Sequence, residues 1–169
     1  FVRACCEDNL GNIWIGTFNG LNRYNKITGL FQNHTANDTQ ADGLTHSSIW
    51  CIVKDNQGTL WLGTYFGGVN YFNPEYEIYT RYSYSSNEKK GLSNPVVGRT
   101  IEDKDGNLWI GTEGGGLNYY NRRTREFKWF RPEIGPNSIS HNNIKALYYD
   151  ASKDIIWIGT HLGGLNRLD

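Results

Sequence analysis

The sequence predicts an all-β protein built from a four-stranded antiparallel unit that repeats along the chain. Three observations predict it: tryptophans recur at a near-constant spacing, glycine-containing turns stand at matching places in each repeat, and no segment shows sustained helical periodicity. The chain has 169 residues, of which 20 are glycine and 14% are aromatic. This composition is typical of strands that are separated by tight turns.

The repeat is defined by the phrase Trp-Ile/Leu-Gly-Thr. Its tryptophans are spaced by 47, 48 and 48 residues and are Trp14, Trp61, Trp109 and Trp157. An aspartate precedes the first three tryptophans by six residues and the fourth by seven, so the last turn has one extra residue. A second glycine-containing phrase, such as Gly68-Val69-Asn70, follows each tryptophan.

Each repeat resolves into four short strands, a to d. Strand a is the apolar run before the aspartate, strand b contains the tryptophan, strand c contains the Leu/Val-Asn phrase, and strand d is aromatic, around Phe31, Tyr79 or Phe127. The a–b link is an Asp-x-x-Gly turn, whose aspartate is expected to accept hydrogen bonds from amides two or three residues on. The b–c link is usually Gly-Gly, which indicates a hairpin with positive φ. Four antiparallel strands in about forty to fifty residues are typical of a β-propeller blade.

The predicted fold is therefore a β-propeller fragment with three complete four-stranded blades and three strands of a fourth. The predicted blades are residues 1–43, 44–91, 92–138 and 139–169. Propellers close with about four to eight blades, so we expect the remaining blades of a longer protein, or a second copy of the chain, to cover the open faces. The chain begins at Phe1 inside a predicted strand and contains no methionine, which also favours an origin in a longer protein.

Residues that recur in every blade are expected to serve the scaffold. The tryptophans should fill the space between blades, and the Gly-Thr pair should allow close approach of strands and provide a hydroxyl for a backbone partner. The cysteines Cys5, Cys6 and Cys51 fall in strand a, where we expect them to be small buried hydrophobic residues. His46 and His141 occupy equivalent positions, which favours a repeated structural role.

Charge and spacing exclude several classes of function. The 17 basic and 17 acidic residues balance, which argues against a surface for nucleic acid or anionic membranes. No Cys-x-x-Cys motif and no histidine pair with metal-ligand spacing is present in the sequence, so we predict no metal and no cofactor.

A ligand is expected on the face that carries the d–a and b–c loops, because these loops converge on the central channel. Positions that differ between blades are available for recognition, whereas recurring positions serve the fold. The candidate ligand-binding residues are Arg3, Trp50, Tyr65, Arg99, Glu113, Lys145 and His161.

These residue types favour a sugar. Aromatic rings stack on the apolar face of a pyranose, while charged groups bind its hydroxyls or a carboxylate or sulfate substituent. Two alternatives stay open. The rings of Trp50 and Tyr65 are also suited to packing between blades, and Arg3 and Arg99 are also explained as ordinary surface charges.

The chain resembles the two-component regulator propeller repeat over its whole length. The resemblance is carried by the segment from Ile101 to Thr112, which continues through Gly115 to Asn121. The blade openings match as well, and they are Leu44-Thr45-His46, Leu92-Ser93-Asn94 and Ile139-Ser140-His141. The chain departs from the pattern at Asn19-Gly20, where the b–c turn is one residue shorter, and at Pro74-Glu75-Tyr76, which replaces a Thr-Gly turn.

The resemblance implies a function. Repeats of this family form the periplasmic sensor region of hybrid two-component histidine kinases in gut Bacteroidetes. By resemblance, the parent protein is anchored in the inner membrane, binds an oligosaccharide derived from glycan breakdown and signals to a cytoplasmic kinase. The kinase is not part of this sequence.

Two other classes of function remain. A propeller lyase or glycosidase would use Glu113, His161 and Arg99 as acid, base and charge stabiliser, although no pair of carboxylates is evident. A purely architectural module would use its outer faces for dimerisation or for docking neighbouring domains. We expect this chain to be non-catalytic.

Overall fold

A computed structural model describes residues 1–36, 43–135 and 137–169. These residues form fifteen strands in four antiparallel sheets. The first two sheets contain β1 (Val2–Glu7), β2 (Ile13–Thr17), β3 (Gly20–Tyr24), β4 (Phe31–His34), β5 (Ile49–Lys54), β6 (Leu60–Thr64), β7 (Val69–Asn73) and β8 (Ile78–Tyr82). The other two contain β9 (Val97–Glu102), β10 (Leu108–Thr112), β11 (Leu117–Asn121), β12 (Glu126–Phe130), β13 (Ile144–Asp150), β14 (Ile155–Thr160) and β15 (Gly164–Leu168).

Each sheet is a simple meander and corresponds to one predicted blade. The strand orders are β1-β2-β3-β4, β5-β6-β7-β8, β9-β10-β11-β12 and β13-β14-β15. The a strands β1, β5, β9 and β13 contact one another in sequence, so they form the inner wall of the stack of blades. The prediction of an all-β propeller fragment is confirmed, with three four-stranded blades and one three-stranded blade. Residues 37–42, on the connection between the first two blades, lie outside the described residues.

The core lies between consecutive blades rather than inside any one of them. The indole of Trp14 is buried and lies edge-on to Phe72 of the next blade, with ring centroids 5.1 Å apart. Trp61 is equally buried and reaches Tyr120 of the third blade at 6.0 Å. Trp109 is partly buried and packs against the cluster that includes Ile144 and Ile158 of the fourth blade. Trp157 is also only partly buried, and no further blade packs on it within the described residues. The predicted role of the tryptophans is thus seen where a following blade is present.

The a–b turns hold these indoles through a recurring aspartate. Asp8 Oδ1 accepts hydrogen bonds from the amides of Leu10 and Asn12, both at 2.9 Å, and Oδ2 accepts from the Trp14 indole at 2.7 Å. The carboxylate therefore accepts from the amides two and four residues on. The prediction was two or three residues on, so the expected bond from the third amide was wrong. Gly11 adopts φ 80°, which places it in the left-handed region that glycine favours and allows the turn to close within this span.

The fourth a–b turn differs because it contains the extra residue. Asp150 Oδ1 accepts from the amide of Ser152 at 3.1 Å and from its hydroxyl at 2.6 Å. This turn is exposed, and within the described part of the chain no hydrogen bond joins Asp150 to Trp157. The longer turn thus replaces the indole bond with a local serine bond.

The recurring Gly-Thr pair serves both predicted purposes. The Thr112 hydroxyl donates to the carbonyl of Gly116 at 2.8 Å, and the other three threonines make the matching bond. A Cβ on Gly111 would lie 2.6 Å from Cγ2 of Ile144 in the next blade, so only glycine allows this approach.

Backbone hydrogen bonds between blades define the loop face, the surface made by the b–c turns and the d–a connections. The amide of Gly68 donates to the carbonyl of Pro95 at 2.9 Å, and Gly116 donates to Asn142 at 2.8 Å. Each bond joins a b–c turn to the d–a connection of the following blade. The two kinds of loop therefore lie together, as strand order predicted.

The three cysteines differ in burial, whereas the two equivalent histidines make the same hydrogen bond. Cys51 is buried and Cys6 is partly buried, whereas Cys5 is exposed, so the prediction of a buried Cys5 was wrong. Cys5 occupies the same position in its strand as Ile52, which packs against Gly16 of the preceding blade. Cys5 is exposed because no blade precedes β1 in the structure. All three thiols are free. His46 and His141 share a structural role, since Nδ1 of each accepts an amide two residues on at 3.0 Å.

Candidate functional site

The loop face of the first two blades carries a row of stacked side chains, which we call the stack: Phe18, Arg3, Trp50 and Tyr65. The Arg3 guanidinium lies 4.3 Å from the centroid of the Phe18 ring and 4.6 Å from that of Trp50. Trp50 in turn stacks on Tyr65, with centroids 5.0 Å apart and ring planes 20° apart. The cation is thus held between two π faces, an arrangement that is favourable by about 0.5–2 kcal/mol per contact.

Packing of the first blade against the second explains why these side chains meet. Arg3 and Trp50 hold the same position in consecutive a strands, and those strands are neighbours along the inner wall. Phe18 and Tyr65 both follow directly after a Gly-Thr pair, where strand b ends on the loop face. Stacking therefore brings together two positions of the repeat that vary between blades.

The stack leaves donors without partners. Trp50 Nε1 is buried and has no hydrogen-bond partner among the described residues. The Arg3 side chain forms no ion pair or hydrogen bond there either, since its contacts are the two rings. A buried indole N–H without an acceptor is unfavourable by about 1–3 kcal/mol, so a ligand or water oxygen at this place would be stabilised.

A second cluster lies between the third and fourth blades. Lys145 Nζ contacts both carboxylate oxygens of Glu113, at 2.6 and 2.7 Å. Lys145 stands at the strand-a position of Trp50, and Glu113 stands at the position of Tyr65. The positions that form an aromatic stack in the second blade therefore carry an ion pair at the junction of the third and fourth.

The remaining candidates lie apart from these pairs. Arg99 is exposed and its Nη1 donates to its neighbour's carbonyl, that of Gly98, at 2.7 Å. His161 is exposed and lies 6.0 Å from His141, ring centroid to ring centroid. No metal-binding group of three or more acidic, histidine or cysteine side chains occurs among residues 1–36, 43–135 and 137–169.

Two aromatic residues at this place, Phe18 and Phe66, were not among the predicted ligand-binding residues. Phe18 forms the end of the stack beside Arg3, and Phe66 adjoins the stack at 4.2 Å from Tyr65, ring centroid to ring centroid. The sequence signal for both was their variable place just after Gly-Thr. Phe66 is 58% exposed, so a ligand that contacts Tyr65 would also meet this ring.

A groove of about 570 Å³ lies between β12 and β15, away from the stack. It is lined by Phe130, Ile158 and Leu168 among others. β15 has no partner on this side, at the place where β8 and β12 complete the second and third sheets. The groove therefore corresponds to the position of a d strand, and we do not assign it to a ligand.

Comparison with known proteins identifies the repeat. The family model described as two component regulator propeller matches residues 1–19, 43–66 and 91–114. Each matched segment spans strand a, the aspartate turn and the Trp-x-Gly-Thr phrase. Three of the chain's four repeats match the two-component regulator propeller family. No curated protein matches the chain in sequence.

Solved structures with a similar fold come from different kinds of protein. Two are extracellular domains of hybrid two component systems from B. thetaiotaomicron, with TM-scores of 0.54 and 0.50 and sequence identities of 20% and 21%. The chain is covered to 99% and 98%, and it spans only 29% and 33% of those domains. Virginiamycin B lyase from Staphylococcus aureus is also similar, with a TM-score of 0.67, 13% identity and coverage of 99% of this chain and 55% of the lyase. At these identities the likeness establishes the fold.

Among the residues that the structure describes, no helix is long and apolar enough to cross a membrane.

Proposed function

We propose that these propeller repeats form a non-catalytic, ligand-sensing part of the extracytoplasmic region of a hybrid two-component sensor kinase, and that the ligand is an oligosaccharide from glycan breakdown. The family of the repeats and the two extracellular sensor domains with the same fold support the sensor role. The parent protein would lie in the periplasm and be anchored in the inner membrane, with its kinase in another part of the chain.

The stack is the observation that carries the proposal of a sugar ligand. Phe18 is 46% exposed and Tyr65 is 38% exposed, so ring surface remains available to solvent beside a guanidinium and an unpartnered indole N–H. A pyranose combines apolar C–H faces with hydroxyl acceptors, which are the groups that such a surface binds. Stacked rings that are already held in place lose little conformational freedom on binding.

The ion pair of Lys145 and Glu113 adds polar groups on the same face. Glu113 directly follows the end of β10 and Lys145 lies near the start of β13, so both stand where strand ends meet the loop face, at the positions that Tyr65 and Trp50 hold in the second blade. A ligand with several sugar rings would contact aromatic groups on the first two blades and charged groups on the last two. Such a ligand would favour one arrangement of the blades, which is the property that a sensor needs.

A catalytic role receives less support from the geometry. The carboxylate of Glu113 is neutralised by Lys145, and the hydrogen bonds of the described residues do not link it to His161 or Arg99. An acid–base pair needs the two groups to share one substrate proton path. The similarity to virginiamycin B lyase, at 13% identity, concerns the fold alone.

The test is calorimetric titration of the full chain with neutral and acidic oligosaccharides. We expect binding that Trp50→Ala weakens by about tenfold or more, since loss of a stacking ring removes roughly 1–2 kcal/mol. Tyr76→Ala is the matched control, because Tyr76 is also an exposed aromatic residue, at 66%, but lies in a c–d turn away from the loop face.

Three outcomes would overturn parts of the proposal. Binding that is equally weakened by Trp50→Ala and Tyr76→Ala would place the ligand elsewhere. No binding to any oligosaccharide would favour the architectural role. Turnover of a saccharide that is lost in Glu113→Gln or His161→Ala would establish an enzyme instead of a sensor.

A further inference from the structure

A separate pocket of about 380 Å³ opens between the second and third blades, beside the c–d turn of the third blade. This turn is at the opposite end of the strands from the loop face. We call it the phenol pocket and define it by Trp61, Tyr71, Thr80, Tyr82, Tyr120 and Arg125. Both of the blades that form it are complete in the structure, so its walls are made by this chain alone.

The preceding blade junction shows why the pocket is open. At the junction of the first and second blades, Arg23 and Gln32 occupy the register positions of Tyr71 and Thr80. There the side chains bond one another across the equivalent place: Arg23 Nη2 lies 2.6 Å from Gln32 Oε1, and Arg23 Nη1 lies 3.3 Å from Glu77 Oε1. At the second junction a short threonine and a tyrosine replace these two side chains, and the space is left unfilled.

The charge at the mouth is also reversed between the two junctions. Glu77 and Arg125 stand at the same place in consecutive c–d turns, with φ of 53° and 59°. Glu77 neutralises Arg23 at the first junction. Arg125 forms no ion pair or side-chain hydrogen bond in the part of the chain that the structure describes, so its guanidinium is available at the mouth of the phenol pocket.

The neighbouring Arg122 is already occupied. It lies 3.0 Å from Asp55 Oδ2 and 3.3 Å from Glu102 Oε1, and so it links the second and third blades. Arg122 therefore closes one side of the pocket as a structural residue. Arg125 is left as the cation that a ligand would meet.

Hydroxyl groups inside the pocket have protons left to donate. The hydroxyls of Tyr82 and Tyr120 lie 3.0 Å apart, and this bond uses only one of their two protons. Tyr71 Oη accepts from the Thr59 hydroxyl at 3.3 Å, which leaves the phenolic proton of Tyr71 free. Burial, together with the bond to Tyr120, raises the pKa of Tyr82 far above its usual value, so this phenol stays protonated.

From this arrangement we infer that the phenol pocket binds a small ring compound that carries one carboxylate. The ring lies against the faces of Tyr71 and Tyr82, and the carboxylate bonds Arg125 and the phenolic protons. Aromatic walls with a few convergent donors are typical of small-molecule sites, and a pocket of this volume accommodates a single substituted ring. Sugar acids and aromatic acids share this chemistry. The site is distinct from the stack and does not depend on the proposed sensing of oligosaccharides.

The experiment is ligand-observed NMR titration of the full chain with sodium glucuronate and with 4-hydroxybenzoate. Glucose and phenol serve as uncharged counterparts. We expect at least one acid to bind and its uncharged counterpart to bind about tenfold more weakly, as a charge-assisted hydrogen bond to Arg125 requires. Binding of glucuronate alone would identify the sugar-acid class, and binding of 4-hydroxybenzoate alone would identify the aromatic-acid class.

Three variants locate the binding. Arg125→Asn removes the positive charge, and asparagine tolerates the left-handed backbone conformation at this position. We expect the affinity to fall about tenfold. Thr80→Gln introduces into the pocket the longer side chain that Gln32 has at the same position of the first junction, and should abolish binding. Arg123→Asn is the control, because Arg123 is an exposed arginine in the same turn but does not line the pocket.

The inference is overturned if neither acid binds, or if Arg125→Asn and Arg123→Asn change the affinity equally. If circular dichroism shows that Thr80→Gln does not fold, the comparison of Arg125→Asn with Arg123→Asn still tests the inference, because both arginines are exposed. Trp50→Ala should leave the affinity for the acid unchanged. A loss in that variant would assign the binding to the stack and would contradict a second site.

Discussion

Trp61 Nε1 lies 2.9 Å from Oδ2 of Asp55, and both side chains are almost completely removed from solvent. Asp55 also accepts the amides of Gln57 and Thr59 through Oδ1, at 3.0 and 2.9 Å. One carboxylate therefore closes the a–b turn and orients the indole that fills the space before the next blade.

This relationship predicts a large effect of Asp55→Ala on stability. The substitution leaves a buried indole N–H and two turn amides without their acceptor and removes one of the two carboxylates that Arg122 contacts, which should lower the free energy of unfolding by about 3–5 kcal/mol. Urea denaturation followed by tryptophan fluorescence measures it. Asp150→Ala is the matched control: its turn is exposed and holds no indole, so we expect a loss below about 1 kcal/mol. Equal losses would show that the indole bond contributes nothing.

A pH dependence follows from the equivalent residue Asp8. Burial alone would raise the pKa of this carboxyl, but hydrogen bonds from the Asn12 side chain, the Trp14 indole and two amides hold it below its usual value. A lowered pKa in the folded state means that this contribution to stability is complete above about pH 4, and that it is lost as the pH falls through the folded value.

The measurement is the free energy of unfolding between neutral pH and about pH 2 for the native chain and for Asp8→Asn. We expect the variant to be less stable at neutral pH and to lose less stability on acidification, because it cannot take up that proton. Parallel curves for the two proteins would contradict the assignment.

The close approach of blades at glycine gives a steric prediction. Gly111→Ala would place a methyl group 2.6 Å from Ile144 Cγ2 and 2.8 Å from its Cβ, which forces the third and fourth blades apart. We expect a loss of about 1–3 kcal/mol, the usual effect of overpacking a core. Gly98→Ala is the control, since its added methyl group would meet nothing nearer than 3.7 Å and should change stability by less than about 1 kcal/mol. Thermal unfolding of both variants by calorimetry decides between them.

The ion pair of Lys145 and Glu113 should contribute more to binding than to stability. Lys145 is 46% exposed, so the pair contributes no more than about 1 kcal/mol to folding. Glu113→Gln should therefore unfold at nearly the same urea concentration as the native chain. Under the proposed sensing function it also frees the ammonium group of Lys145, and so it should strengthen binding of an acidic oligosaccharide but not of a neutral one. Calorimetric titration with the two ligands tests this, and Lys145→Gln should shift the acidic affinity in the opposite direction.

Repetition made much of the fold predictable. Because Trp14, Trp61 and Trp109 recur in one phrase, the positions of strands, turns and positive-φ glycines could be assigned by comparing the chain with itself. The exposure of Cys5 could not be obtained in this way. Self-comparison assigns every copy the same environment, whereas a residue at the first blade has no preceding neighbour in the structure.

The candidate site was predictable only as a set of positions. The sequence indicated which residues vary between blades on the loop face, and Arg3, Trp50, Tyr65, Glu113 and Lys145 were among them. Which of them touch depended on lateral packing of a strands that are about 47 residues apart, a distance at which no local pattern specifies side-chain direction. Packing between blades, for example, decided that Lys145 pairs with Glu113 and not with His161.

By itself, then, the sequence determined the repeating unit, its four strands and the scaffold role of its tryptophans, because each blade is built from short-range turns and a period-two pattern. Only the tertiary structure decided which variable side chains meet. The stack and the phenol pocket both arise between blades, where one repeat's side chains fill or leave open the space beside the next, and that space depends on the volumes of residues far apart in the chain.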